Sequence, residues 1–261
     1  MKILVTGTAG FIGAYVAKAL LKRGDFIVGV DNLNDYHDPK LKKDRIEKFI
    51  GKEKNFVFYK TDFADFKSME KIFQKHKFDV ICHLGAQAGV RYSIDNPFVY
   101  EKSNGLGTLT IFELARKYKV SKVVFASSSS VYGNNKKIPF SVKDSVDLPI
   151  SLYAATKKYN ELMAHAYHRL YGIKMVGLRF FTVYGPWGRP DMAYFKFTKK
   201  IINGEPIDVY NNGDMRRDFT YIDDITSGVI AAIDKDFEYE IFNLGNSNTV
   251  ELNYFIKCLE K

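Results

Sequence analysis

The segment Thr6-Gly7-Thr8-Ala9-Gly10-Phe11-Ile12-Gly13 decides the fold of this chain. It follows the apolar run Lys2–Thr6 and opens an amphipathic stretch, so its evenly spaced glycines stand between a predicted strand and a predicted helix. In that setting each glycine has a physical role: a tight turn, a close approach of backbone to a pyrophosphate, and close packing of helix on strand. The free N–H groups at the start of such a helix favour phosphate groups. The segment therefore predicts a dinucleotide-binding loop.

Beyond this loop, short apolar runs alternate with helix-length stretches along the chain. The runs suit buried parallel strands, being short and rich in β-branched or aromatic residues. They are Lys2–Thr6, Phe26–Asp31, Phe56–Lys60, Val80–Leu84, Val123–Ser127, Lys174–Arg179 and Ile241–Leu244. The predicted helices are Phe11–Arg23, Ser68–Lys75, Asn104–Tyr118, Tyr153–Tyr171, Met192–Asn203 and Glu251–Lys261. This alternation predicts an α/β fold with a Rossmann-like, doubly wound parallel sheet.

Composition excludes several other classes of protein. The 261 residues carry 39 Lys and Arg against 30 Asp and Glu, a net charge of +9, with 46% hydrophobic residues. These fractions are ordinary for globular proteins and exclude a largely disordered or collagen-like chain. The positive balance favours anionic partners, and the basic stretch 35–49 is typical of a solvated helix. Cys82 and Cys258 match no metal-binding spacing, so we expect no metal and reduced thiols in a cytoplasmic protein. No run reaches the length of a membrane helix, so no membrane partner is expected.

An acidic residue ends the second predicted strand, 18 residues after the last glycine of the loop. This residue, Asp31, can accept hydrogen bonds from ribose hydroxyls and would repel a 2′-phosphate, which favours NAD over NADP. Asp62, after the third predicted strand, has two equally good interpretations, a contact to adenine or a helix N-cap.

Tyr153 and Lys157 stand four residues apart, on one face of a predicted helix. A free phenol has a pKa of about 10, and a neighbouring ammonium favours the phenolate. Such a pair can take a proton from an alcohol while the alcohol carbon gives hydride to NAD. The pattern also occurs by chance on surface helices, but here the preceding strand ends in the serines 127–130, which bring hydroxyls to the same edge.

Taken together, these motifs resemble the extended short-chain dehydrogenase/reductase family and, within it, the nucleotide-sugar epimerases, above all the UDP-glucuronate 4-epimerases. The stretches that carry the resemblance are Thr6–Gly13, Asp31–Tyr36, His83–Ser93, Ser127–Gly133, Tyr153–Lys157, Arg179–Met192 and Arg216–Asp224.

The resemblance implies roles for individual residues. Tyr153 would be the general base, Lys157 its partner and a ribose ligand, and Ser128 a hydrogen-bond donor to the C4 oxygen of a UDP-sugar. The implied NAD contacts are Gly7, Gly10, Phe11, Ile12, Gly13, Asp31, Asn32, Asp62, Phe63, Leu84, Ala86, Gln87, Asn104, Tyr153 and Lys157. The implied substrate contacts are Arg91, Ser128, Ser129, Ser130, Thr182, Arg189 and Arg217, the last for the UDP phosphates.

Related dehydratases and decarboxylases carry carboxylic acids where this chain has Ser129 and Ser130. Without an acid for elimination, a 4-keto sugar should survive until hydride returns, and uncharged hydroxyls tolerate a sugar carboxylate. The expected reaction is epimerisation of UDP-glucuronate to UDP-galacturonate. A UDP-glucose/galactose epimerase, a dehydrogenase or reductase, or an NAD-binding protein with little turnover remain alternatives, and the serines could simply cap the strand end.

The resemblance also predicts organisation and partners. We expect residues 1–185 to form the NAD-binding Rossmann domain, with strand 241–244 returning to its sheet, and residues 186–240 and 245–261 to form a smaller substrate lobe. Members of the family continue beyond a stretch like Asn243–Ser247, so this lobe is expected to be C-terminally truncated, with UDP-sugar binding weakened and NAD binding kept. A homodimer pairing through helices 104–118 and 153–171 is expected. Nucleic acid is not, since no aromatic–basic module is present.

Overall fold

The secondary structure follows the predicted alternation closely. The computed structural model describes residues 1–261 apart from the side chains of Tyr210 and Asn211. The strands are β1 (Lys2–Thr6), β2 (Phe26–Asp31), β3 (Phe56–Lys60), β4 (Val80–His83), β5 (Lys122–Ser128), β6 (Lys174–Phe180), β7 (Thr182–Tyr184), β8 (Arg216–Tyr221), β9 (Tyr239–Leu244) and β10 (Thr249–Glu251). The α-helices are α1 (Phe11–Lys22), α2 (Pro39–Asp44), α3 (Phe66–Lys75), α4 (Tyr92–Asp95), α5 (Pro97–Tyr100), α6 (Gly107–Lys117), α7 (Leu152–Tyr171), α8 (Ala193–Ile202), α9 (Ile222–Asp234) and α10 (Leu252–Leu259). Wider, π-helical turns span Arg45–Ile50 and Glu101–Leu106.

A seven-stranded sheet in the order β3-β2-β1-β4-β5-β6-β9 forms the centre of the fold. Each pair of neighbouring strands is parallel, which confirms the predicted Rossmann-like fold class. The strand order reverses direction between β1 and β4. In sheets of this kind, ligands bind beyond the carboxyl ends of the strands at such a reversal point.

Helices cover both faces of this sheet because successive strand side chains point to opposite faces. In β1, Leu4 packs into an apolar cluster with residues of α3, α6 and α7. Its neighbours Ile3 and Val5 pack on the other face, with residues of α1 and α9. All three side chains are fully buried, so β1 must be apolar on both of its faces.

A smaller sheet contains the remaining strands, with β8 between β7 and β10. β8 runs parallel to β7 and antiparallel to β10. The rings of Phe219 in β8 and Phe255 in α10 stack at 4.9 Å, and Phe197 of α8 lies at 6.3 Å from Phe255. Neither α8 nor α10 has a fully buried residue, so this lobe has far less core than the main sheet.

The predicted smaller lobe includes all of residues 186–240, but part of that range packs on the main sheet. α9 lies within that range, but it packs beside α1 on the main sheet through Val229, Ala232 and Ile233. The reason is its helical repeat of apolar residues, which gives α9 one continuous buried face. The chain therefore returns to the main sheet at α9, before the predicted strand 241–244.

Over the described part of the chain, no helix is both long and apolar enough to cross a membrane. No cluster of three or more His, Cys, Asp or Glu side chains there could hold a metal ion. Cys82 is buried and Cys258 exposed, and neither forms a disulfide.

Candidate active site

A cavity of about 430 Å³ opens at the carboxyl ends of the central strands. It brings together most of the candidate residues, from positions far apart in the sequence. Those that line it are Gly7, Gly10, Phe11, Ile12, Gly13, Asp31, Asn32, Phe63, Leu84, Ala86, Gln87, Ser128, Ser129, Ser130, Tyr153, Lys157, Thr182 and Arg189. Four candidates do not line it: Asp62, Arg91, Asn104 and Arg217.

The glycine loop is held by backbone contacts that leave no room for side chains. Gly7 has a φ of +69°, and a Cβ there would lie 2.7 Å from the Cα of Gly85, after β4. A Cβ on Gly13 would lie 2.1 Å from the carbonyl oxygen of Gly7. These contacts bring the first turn of α1 against the loop and direct its free N–H groups into the cavity, where a pyrophosphate would fit.

Asp31 lies at the end of the cavity beside the glycine loop, on the last residue of β2. Its carboxylate accepts hydrogen bonds from the N–H groups of Leu33 (2.9 Å) and Ala9 (3.2 Å). Burial raises the pKa of Asp31, while these N–H groups and the nearby Lys42 act against that rise. A carboxylate held in this way fits an adenosine ribose and disfavours a 2′-phosphate.

Asp62 and Asn104 bind protein groups in this structure. The Oδ1 of Asp62 accepts a hydrogen bond from Ala64 N–H at 3.0 Å, and its other oxygen lies 3.2 Å from Nζ of Lys102. Asn104 is buried, and its amide binds both backbone groups of Gln87 and the hydroxyl of Thr156. Asn104 therefore joins a cavity-lining loop to α7, and any influence on a cofactor would pass through Gln87.

Tyr153 and Ser128 meet at the centre of the cavity. Ser128 ends β5 and caps the short helical turn that follows it, and Ser151 caps α7, the helix that carries Tyr153. Burial raises the pKa of the Tyr153 phenol, whereas a hydrogen bond with Ser128 and the positive charge of Arg189 lower it. The negative charge of Asp191 acts against that of Arg189.

Lys157 is buried and donates a hydrogen bond from Nζ to the carbonyl oxygen of Ala126 at 2.9 Å. Burial lowers its pKa to about 8, and the negative charge of Glu161, one turn further along α7, acts in the opposite direction. Glu161 in turn forms a buried, two-pronged ion pair with Arg179 of β6, with both N–O distances at 2.8 Å. It also accepts a hydrogen bond from Ser127. A charged network beneath the cavity thus supports Lys157.

Ser129, Ser130 and Thr182 supply hydroxyls at the end of the cavity away from the glycine loop. Ser128 donates to the Ser130 hydroxyl at 3.1 Å and accepts from its N–H at 3.2 Å. Ser128 therefore caps the helical turn that follows β5, and Ser129 and Ser130 are half-buried.

The candidate arginines fall into two groups. Arg189 lines the cavity and forms an ion pair with Asp191. Arg91 and Arg217 are exposed outside the cavity. Arg217 lies on β8, where Nη1 donates to the carbonyl of Arg216 at 3.0 Å.

Two basic residues that sequence reasoning placed on a solvated helix lie at the cavity. Lys42 donates from Nζ to the backbone carbonyl of Asn34 at 2.8 Å. Arg45 is 1% exposed and binds the carbonyls of Ala9, Trp187 and Gly188. The interpretation of this whole stretch as solvated is wrong at these two positions. The basic run itself could have drawn attention to them, but nothing in its spacing separates inward from outward residues.

This chain is similar to known proteins in both sequence and structure. The profile of the NAD dependent epimerase/dehydratase family matches residues 3–245. The chain is 59% identical to an uncharacterized protein of Methanocaldococcus jannaschii, MJ1055, over 99% of this chain and 80% of that protein. It is 46% identical to UDP-glucuronate 4-epimerase 4 of Arabidopsis thaliana, over 99% of this chain and 63% of the relative.

Two solved structures have the same architecture. One is UDP-glucuronic acid 4-epimerase from Bacillus cereus in complex with UDP-glucuronic acid and NAD, with a TM-score of 0.92 and 36% identity. The other is UDP-glucose 4-epimerase from Thermotoga maritima with UDP-glucose, with a TM-score of 0.89 and 32% identity. Each similarity covers 100% of this chain and 82% of the solved one.

Proposed function

Because the chain belongs to the NAD-dependent epimerase/dehydratase family, we propose that it interconverts UDP-glucuronate and UDP-galacturonate. At a coarser level, it is an NAD-dependent nucleotide-sugar 4-epimerase. The finer proposal concerns the carboxylate of the sugar.

The charge around the cavity supports this choice of sugar. Among the described lining residues, Asp31 is the single carboxylate, and it lies beside the glycine loop. The opposite end has Arg189 with the hydroxyls of Ser129, Ser130 and Thr182. A cation with uncharged donors suits an anionic sugar, because like charges in a low-dielectric site repel strongly. The carboxylate beside this cation, Asp191, is paired with Arg189 and lies outside the lining.

The residues present fit NAD. The crowded glycine loop beneath α1 suits a pyrophosphate, and the buried Asp31 suits the adenosine ribose. Lys157 and Tyr153 would hold the nicotinamide end. When bound, NAD supplies a hydride acceptor and donor for the C4 carbon of the sugar.

The chain's own residues would manage the proton. Tyr153 would remove it from the C4 hydroxyl, and the hydroxyl of Ser128, which lines the same cavity, would donate a hydrogen bond to the C4 oxygen. The 4-keto sugar would then turn about its phosphate link and present the opposite face of C4 for the return of hydride, and Tyr153 would give the proton back to the C4 oxygen. This requires firm binding of UDP and a loose sugar pocket.

A second candidate is epimerisation of UDP-glucose and UDP-galactose, which the similarity to the Thermotoga maritima structure favours. A panel of UDP-sugars, followed by chromatographic identification of the products, separates the candidates. We expect kcat/KM to be highest for UDP-glucuronate, with no steady accumulation of NADH. Faster conversion of UDP-glucose would contradict the uronate proposal, and steady accumulation of NADH would contradict epimerisation itself.

Substitution at Ser130 isolates the charge effect. Ser130→Glu should lower kcat/KM for UDP-glucuronate about 10-fold or more relative to Ser130→Gln, because only the former places a like charge near the sugar carboxylate. The two variants should differ little with UDP-glucose. An equal difference with both sugars would mean that the carboxylate does not bind at this end.

We also propose that two copies pair through the surface formed by α5, α6 and α7. Large apolar side chains there are exposed, including Phe98 (86%), Leu162 (57%) and Leu170 (70%), and exposed apolar patches mark interaction surfaces. Light scattering should report a dimer. Phe98→Glu should weaken it, whereas Ile138→Glu, at another exposed apolar position, should not. A monomer at all concentrations would exclude this pairing.

A further inference from the structure

The cation at the sugar end of the cavity is held by a neighbouring carboxylate. Nε of Arg189 donates to Oδ1 of Asp191 at 3.0 Å, and Nη2 donates to Oδ2 at 2.5 Å. Such a paired, planar contact fixes the direction of a guanidinium as well as its position. The pair lies on the loop between β7 and α8, and both side chains are partly exposed.

Asp191 is itself held from a distant loop. Nε2 of His37 lies 3.1 Å from Oδ1 of Asp191, and the Tyr36 phenol donates to Oδ2 at 3.5 Å. Burial, and to a smaller extent the negative charge of Asp191, raise the pKa of Tyr36 to about 12. This phenol therefore stays protonated and can donate a hydrogen bond. His37 and Tyr36 belong to the loop after β2, the strand that ends in Asp31.

The histidine ring faces an acceptor on each side. Its Nδ1 lies 2.9 Å from the carbonyl oxygen of Tyr36, and its Nε2 faces the Asp191 carboxylate. Neither acceptor can donate, so a doubly protonated ring satisfies both contacts and a neutral ring satisfies one.

We propose that Asp191, held by His37 and Tyr36, is a positioning residue that sets the preference of the site for an anionic sugar. It acts through Arg189, which lines the cavity with Tyr153 and Ser128. Asp191 itself is not among the lining residues, so it directs the guanidinium without meeting the sugar. The inference rests on the proposed uronate substrate and assigns the orientation of Arg189 to a specific partner.

Kinetics test the preference. Asp191→Asn should lower kcat/KM for UDP-glucuronate about 10-fold, mainly by raising KM. The same substitution should change kcat/KM for UDP-glucose less than about twofold. On an Arg189→Gln background, Asp191→Asn should have no further effect, because it acts through the missing group. Arg189→Gln alone should lower kcat/KM for both sugars, because Arg189 also acts on the Tyr153 phenol, and the loss should be larger for UDP-glucuronate. Additive losses, or equal losses for both sugars, would overturn the proposal.

A second measurement does not depend on the substrate. Modification of arginines by phenylglyoxal, followed by peptide mass spectrometry of the NAD-loaded chain, reports how firmly Arg189 is held. Asp191→Asn should speed modification of Arg189 several-fold and leave Arg217, on β8, unchanged. Asp234→Asn, which disrupts the exposed pair between Asp234 and Arg23, is the matched control.

The two measurements separate the possible failures. If the wild-type chain shows no preference for UDP-glucuronate, the proposed function is wrong, and the labelling still decides whether Asp191 holds Arg189. If the preference is present but labelling of Arg189 is unchanged by Asp191→Asn, the positioning role is wrong and the proposed function stands.

Discussion

The glycine loop (Thr6–Gly13) and the loop between β7 and α8 that carries Arg189, here called the Arg189 loop, face the same cavity. Different interactions hold the two loops in place. In the glycine loop, backbone meets backbone: Gly7 N–H donates to the carbonyl of Val30 at 2.8 Å, and Gly13 packs against the carbonyl of Gly7. In the Arg189 loop, side chains from elsewhere make the contacts, with His37 holding Asp191 and Arg45 holding the carbonyls of Trp187 and Gly188.

This difference predicts which kinds of substitution disrupt each loop. A backbone contact excludes every side chain, so a single methyl group disrupts it. A side-chain contact depends on the charge and shape of one distant residue, so it can be adjusted without loss of the fold. Arg45 connects the two loops, since it also donates to the carbonyl of Ala9 at 3.0 Å.

Tyr153 lines the cavity that both loops face, and its loss should have the largest effect. Tyr153→Phe should lower kcat about 1,000-fold, because general bases contribute 10²–10⁴-fold, and leave NAD binding close to wild type. Turnover of the UDP-sugar and fluorescence titration with NAD measure the two effects. Tyr159→Phe, on the exposed face of α7, is the matched control. Near-normal turnover in Tyr153→Phe would exclude this phenol as the base.

Gly13→Ala tests the backbone-packed loop. Its Cβ would meet the Gly7 carbonyl at 2.1 Å, a contact that backbone cannot accept, so we expect a loss of about 3 kcal/mol in the free energy of unfolding. In Gly228→Ala, within α9, the new Cβ would meet only the flexible side chain of Leu244 at 3.0 Å. That variant should be near neutral. Equal melting temperatures for the two variants would show that the loop is not tightly packed.

Arg45→Lys tests the connection between the loops. A lysine keeps the charge but loses the planar fork, so most of the bonds to Ala9, Trp187 and Gly188 should be lost. We expect KM to rise roughly 10-fold for NAD and for the UDP-sugar together, as loss of a charged hydrogen bond of about 1.5 kcal/mol implies. Lys48→Ala, with an exposed side chain on the same helical turn, should change neither. A rise for one ligand alone would mean that the loops are independent.

The smallest expected effect is a displacement of the pH profile. Burial lowers the pKa of Lys157 to about 8, and Glu161 opposes that fall. Without the Glu161 charge, the pKa should fall further, so Lys157 loses its proton at a lower pH. The alkaline decline of kcat should then begin roughly 0.5–1 pH unit lower.

The variant for this test is Glu161→Gln combined with Arg179→Met, because removing one partner alone would leave a buried charge unpaired. Glu238→Gln, at an exposed ion pair with Lys174, is the control. A profile that stays in place, or moves to higher pH, would show that Glu161 does not support the charge of Lys157.

Much of the fold could be read from the sequence because its signals are local. β1, β2 and β3 have the predicted bounds, since buried parallel strands require continuous apolar runs. α9 is not among the predicted helices, and its residues are predicted to lie in the smaller lobe with the rest of 186–240. Which sheet a segment packs against depends on contacts that are distant in sequence.

The residues of the candidate site also divide into those with a local sequence signal and those whose partners depend on tertiary packing. The glycine loop, Asp31, Tyr153 and Lys157 follow from short-range spacing, and the structure places all of them at the cavity. The NAD contacts of Asn104 and Asp62 stay predictions. In this structure both bind protein groups, because a side chain's partner depends on what folds against it.

By itself, the sequence determined the parallel sheet, the dinucleotide loop and the spacing of the tyrosine and lysine, because each depends on residues within one turn or one strand. Only the tertiary structure decided that Arg45 lies inside, that Arg189 lies close enough to act on the Tyr153 phenol, and that His37 reaches Asp191. Burial and the distances between charges are set by which loops meet, and residues more than 140 positions apart along the chain, such as Arg45 and Trp187, leave no common pattern in it.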